Sequence, residues 1–164
     1  MTQISVAKQG KITAQMKQVA KSEKIAGEVI RRGVASGRIV IHCNPIHAPS
    51  SLGIGKGLRV KVNANIGTSR EYCDLREEAE KAKVAVAAGA HAVMDLSTGG
   101  DLDAIRRRLL KIVSVPFGTV PIYQAGIEAI ERRGSIVDLT ADDMFSMVEH
   151  QAKQGVDFAV VHVG

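Results

Sequence analysis

Aromatic side chains are nearly absent from this chain: they make up 3% of 164 residues, and tryptophan does not occur. The core must then be built from Val, Ile, Leu and Ala. Stacking surfaces for nucleic-acid bases are equally scarce. Cysteine is sparse as well. Cys43 and Cys73 stand too far apart for a CxxC pair and are too few for a disulfide framework, so free thiols in a reducing cytosol are expected. Long apolar runs are missing. No segment reaches the roughly 18 apolar residues of a membrane span, and the opening "MTQISVAKQGKITAQ" has no apolar signal core. These absences point to a cytoplasmic protein that engages no membrane.

What is present suits a folded chain. Hydrophobic residues make up 45% of the sequence, near the globular average, which excludes disorder. The length allows a sizeable core. The net charge of +5 invites an anionic partner. Its basic residues are dispersed, however, and the densest run, Arg106-Arg107-Arg108, has no aromatic residues interleaved. Nucleic acid is therefore not the expected partner; a plain solvated surface, a membrane surface and a phosphorylated metabolite remain as readings of the charge.

The chain reads in two parts. Residues 1–57 form an N-terminal segment, helical through residue 37. Thr13 caps a helix with Ile12, Met16, Val19 and Ala20 on one face. A second amphipathic run carries Ile25, Val29, Ile30 and Val34, with Gly33 and Gly37 marking its end. "RIVIHCN" reads as a short strand, and "PIHAPSSLGIGKG" as a loop punctuated by Pro and Gly.

Residues 58–164 alternate strand and helix. One strand runs from Leu58 to about Asn65. Asp74 caps a helix that ends at Gly89. "AVMDLSTGG" is the next strand, and Asp101 opens a helix through Val113. "FGTVPIY" is a strand, followed by a helix to Gly134. Thr140 and Asp143 form a capping-box pattern before a further helix, and "VDFAVVHVG" closes the chain as a strand. Such alternation predicts an α/β fold with parallel strands and right-handed crossovers. Each strand ends in polar or small residues, and parallel α/β proteins place ligands at their strands' carboxyl ends. A whole (β/α)8 barrel needs about 250 residues, so four βα strands read as part of something larger.

Several motifs carry two readings. "GIGKG" lacks the spacing of a phosphate loop and reads as a flexible loop before a strand. His42, Cys43 and His47 are metal-ligand types without a second ligand pair, or structural residues at a strand end. The turn "STGG" after Asp95 is an anion cradle or an ordinary strand-to-helix turn capped by Asp101. His162, at a strand tip, is a base, a donor or a satisfied histidine.

Four blocks carry a resemblance: "GLRVKVNANIGTS", "AVMDLSTGGDLDAIRR", "VPFGTVPIYQA" and "QGVDFAVVHVG". In that order they strongly resemble the phosphomethylpyrimidine synthase (ThiC) family, and "GKITAQM" and "GRIVIHCNPIHAPSSLGIGKG" fit more loosely. The resemblance implies the first half of a (β/α)8 TIM-type barrel behind an N-terminal helical segment. It implies thiamin-pyrimidine synthesis from 5-aminoimidazole ribonucleotide, using S-adenosylmethionine, a [4Fe-4S] cluster and a nearby zinc. It carries substrate contact over to Asn65, Met94, Tyr123 and His162, and assigns no catalytic or metal residue in this half. The family's cluster cysteines, in a CxxCx4C-like motif, have no counterpart here, so the chain by itself is expected to be inactive. An unpaired last strand predicts a homo-oligomer. The same residues also suit a synthase of 5-hydroxybenzimidazole from the same ribonucleotide, or a binding remnant without catalysis.

Overall fold

Three helices open the chain, in a computed structural model that describes residues 1–162. In α1 (Gln3–Lys8) and α2 (Ala14–Glu23) the Thr2 and Thr13 hydroxyls accept the Ser5 and Met16 N–H groups, satisfying donors that a helix start leaves free. α3 (Gly27–Ala35) follows, with Gly33 inside it rather than at its end. The apolar faces of these helices meet one another: Ala7, Met16, Val19, Ile30 and Val34 are buried together with Ile39.

β1 (Ile39–His42) then pairs antiparallel with β2 (Leu52–Gly55). β2 corrects the expectation of a flexible loop over "GIGKG". A Cβ on Gly53 would lie 2.4 Å from Val19 Cγ1, and one on Gly55 would lie 2.1 Å from the Arg38 carbonyl oxygen. These glycines let the hairpin press against α2 and the chain before β1. The composition signals a turn, but the glycines serve close packing.

The rest of the chain alternates as predicted. β3 (Asn63–Ile66), β4 (Ala92–Asp95), β5 (Phe117–Thr119) and β6 (Phe158–Ala159) form one parallel sheet in sequential order. α4 (Leu75–Ala87), α5 (Leu102–Leu110), α6 (Pro121–Arg133) and α7 (Ala141–Gln154) connect or precede these strands. Asp74 and Asp101 cap α4 and α5, and Thr140 and Asp143 form the full reciprocal box on α7. Ile66, Val93 and Phe117 face the helices and pack with Ala82, Ile105 and Leu109. Each large side chain buried there contributes about 1.5–3 kcal/mol.

The strands are shorter than their apolar runs. Val60 and Val62 alternate like strand residues, yet they precede β3 and are 90% and 58% exposed. "FGTVPIY" is strand only through Thr119. Pro121 opens α6, because its fixed φ and missing N–H suit a helix's first turn. The α5 helix stops at Leu110, short of Val113, and β6 ends at Ala159. Val163 and Gly164, the end of the predicted last strand, lie outside the described residues.

Candidate functional site

The carboxyl ends of β3 and β4 are joined to each other. Gly67 has φ +150° and donates its N–H to Glu78 Oε2 at 2.8 Å; a Cβ there would meet the Leu96 carbonyl carbon at 2.7 Å. The next residue, Thr68, donates its N–H to Ser97 Oγ at 3.0 Å and its hydroxyl to the Gly99 carbonyl at 2.6 Å. Thr98 N–H returns to the Thr68 carbonyl at 2.9 Å. The polar tail of "VNANIGTS" thus stitches two strand-to-helix loops into one rim.

Internal bonds also occupy part of the "STGG" turn. Ser97 N–H is held by Asp95 Oδ1 at 2.9 Å, and Asp101 caps Ala104 N–H. The Ser97 and Thr98 donors are thus engaged internally, while Gly99 and Gly100 line a cavity with Arg70. Asp95 itself is buried on the helix side. Burial pushes its carboxyl above the usual range, against the Ser97 bonds and the Arg106 charge.

The face of the sheet away from the helices carries one cross-strand row. Asn65 sits opposite Met94, Met94 opposite Gly118, and Gly118 opposite Phe158. Asn65 is exposed and accepts a 2.8 Å bond from Asn63 Nδ2; Met94 is half-buried. Gly118 leaves its place to the Phe158 ring, which stacks on His42 with centroids 4.7 Å apart. Burial lowers the His42 pKa, with the Asp157 charge opposing.

Tyr123 and His162 belong elsewhere on the rim. Tyr123 is in the first turn of α6, not on a strand. It shares with the exposed His162 a cavity of about 430 Å³, lined also by Arg70, Thr98, Ile127 and Ile136. The structure therefore brings the four predicted residues together as two pairs: Asn65 with Met94 on the sheet face, and Tyr123 with His162 in the cavity. Arg70 was not anticipated, and Thr98 only as part of the "STGG" turn. Their only sequence signal is position, just past the tips of β3 and β4.

Behind the rim runs a buried polar network that sequence reasoning missed. The Arg106 guanidinium bonds Asp103, Gln154 and Gln124; Thr119 donates to Gln151, which in turn donates to Gln124. Burial would raise Asp103, but bonds from Gln124 and His150 and the charges of His150 and Arg106 outweigh it and hold the carboxyl at about 2. Arg106 is 2% exposed, so the densest basic run is not a continuous cationic surface. A helix-face residue three before a basic one was the available clue.

His42, Cys43 and His47 do not converge on a metal. Among the described residues no group of three His, Cys, Asp or Glu side chains could hold one. Cys43 Sγ faces the Pro49 carbonyl and Cys73 is exposed. A [4Fe-4S] cluster needs clustered thiolates, which the described residues do not offer. No helix is long and apolar enough to cross a membrane.

Comparison with known proteins bears on what this rim could serve. The Radical SAM ThiC family matches residues 2–164. A phosphomethylpyrimidine synthase of Thermus thermophilus is 54% identical over 166 residues, covering 100% of this chain and 38% of the relative. Another from Pyrococcus furiosus is 54% identical over 165 residues with the same coverage, and one from Thermodesulfovibrio yellowstonii 53% identical over 164. The chain spans about 38% of the length of these curated relatives.

Proposed function

The chain belongs to the radical SAM ThiC family, and from that premise we propose that it contributes the ribonucleotide-holding rim of a phosphomethylpyrimidine synthase. The match across residues 2–164 carries this reading. The sequential parallel order of β3 to β6 supports the further reading that these strands are the first part of a (β/α)8 barrel.

In this account 5-aminoimidazole ribonucleotide lies across the carboxyl ends of the strands. Asn65 offers an amide donor and acceptor to the heterocycle or a ribose hydroxyl. Met94 forms a soft apolar wall beside it. Tyr123 and His162 hydrogen-bond the ribose or its phosphate. The cluster and zinc of the family find no ligand set among the described residues, so the radical step is not assigned to any residue here. Alone, the chain is proposed to bind weakly and not to turn over.

A chimera tests the reading. Residues 2–164 replace the matching segment of the Thermus thermophilus relative, and the reconstituted enzyme is assayed for product. Formation of the hydroxymethylpyrimidine phosphate supports the proposal. A benzimidazole product would favour the alternative synthase, and a folded, cluster-bearing but inactive chimera would favour the binding remnant.

A further inference from the structure

We propose that His47 and Asp157 form a proton-dependent lock that fastens the loop after β1 across the amino-terminal end of the sheet and positions β6. The pair lies 110 residues apart in sequence, and His47 Nδ1 is 2.6 Å from Asp157 Oδ2. The other ring nitrogen, Nε2, is 2.8 Å from the Val113 carbonyl. Both ring nitrogens therefore face acceptors. A neutral imidazole has one N–H and would leave one of these contacts lone pair to lone pair, so the geometry calls for the imidazolium. The His47 and Asp157 side chains are only 5% and 0% exposed.

The surrounding bonds tie three segments to this pair. Asp157 also accepts the Asn44 N–H at 2.6 Å and the Phe117 N–H at 2.8 Å. The Asn44 side chain donates to the Ala152 and Val156 carbonyls, at the end of α7 and just before β6. Ser50 N–H reaches the Ser114 carbonyl. The hairpin loop is thus bonded to the starts of β5 and β6 at once. Asp157 begins the segment that carries Phe158 onto the sheet face and ends at His162. His47 and Asp157 are accordingly positioning residues: they touch no candidate ligand position themselves.

The ionisable neighbours are few. Just before β6 there is Asp157, and from β1 there is His42, whose ring feels the Asp157 charge. The chain after α5 and the end of α7 present backbone carbonyls. The Asp157 bond, against burial and aided by the Val113 carbonyl, raises the His47 pKa above its ordinary 6.5. A folded-state value raised in this way gives stability that is complete below about 6.5 and is lost as pH rises through the folded value.

The test uses the ¹⁵N-labelled 164-residue chain. Long-range ¹H–¹⁵N correlation of the His47 ring is expected to show both nitrogens still mostly protonated at pH 6.5, where an ordinary imidazole is half deprotonated. The folded-to-unfolded ratio, from urea unfolding, is expected to fall about tenfold per pH unit between the unfolded and folded His47 values. His47→Gln should flatten that dependence. The Ala159 and Val160 backbone amides, on the strand beyond the residues that touch the pair, should shift with the His47 midpoint, which a purely local contact would not produce. A His47 ring that is mostly singly protonated at pH 6.5, or Ala159 and Val160 signals indifferent to its titration, would overturn the proposal. If His47→Gln does not fold, the ring and midpoint measurements on the unaltered chain decide.

Discussion

At the amino-terminal end of the sheet, Asp157 is fully buried and takes bonds from His47, Asn44 and Phe117. At the carboxyl-terminal end, Tyr123 and His162 line an open cavity and Asn65 is exposed. Both ends use polar side chains, but at one end every partner lies within the chain, while at the other several groups face solvent. A polar group costs free energy when buried without a partner. The amino-terminal end is thus built for rigidity, and the carboxyl-terminal end leaves donors and acceptors available for a ligand.

Substitutions at the two ends should separate stability from binding. The largest effect is expected from Asp157→Ala, which strands a buried His47 and two backbone N–H groups. Loss of a buried pair's partner costs about 3–5 kcal/mol, measurable as a lowered urea midpoint, and a change under 1 kcal/mol would break the contrast. Gly67→Ala should come next, because its Cβ would strike the Leu96–Ser97 backbone; overpacking of this kind costs about 1–3 kcal/mol. Thr68→Val removes the bond to the Gly99 carbonyl and should cost about 1 kcal/mol, with amide exchange rising at Thr98 if the two loops are coupled. The smallest stability effect belongs to Tyr123→Phe and His162→Asn. At exposed positions these should stay within about 0.5 kcal/mol while lowering activity in the chimera. A large loss of stability there would mean the cavity is a structural element.

Local chemistry made much of this legible in advance. Thr13, Asp74, Asp101 and Thr140 declared their helices because a cap acts on its own next few residues. The alternation of elements gave the parallel sheet, and the motif order gave the family. What stayed hidden depended on distant contacts. The His47–Asp157 pair spans 110 residues, so His47 read only as a metal-ligand type or a structural histidine. Arg106 read as part of a basic run because, Asp103 apart, its partners Gln124 and Gln154 are 18 and 48 residues away. β2 read as a loop because its glycines serve packing against Val19 and Arg38. Tyr123 was placed on a strand because the apolar run continues past Thr119, and the Pro121 helix start went unread.

The division between a locked amino-terminal end and a ligand-facing rim is tested most directly by chemical-shift mapping with 5-aminoimidazole ribonucleotide. The account predicts weak binding, with Kd on the order of 1 mM or higher. Shifts should fall on Asn65, Met94, Tyr123 and His162 and spare Asn44 and His47. Shifts centred on Asn44 and His47, with the rim unaffected, would contradict it.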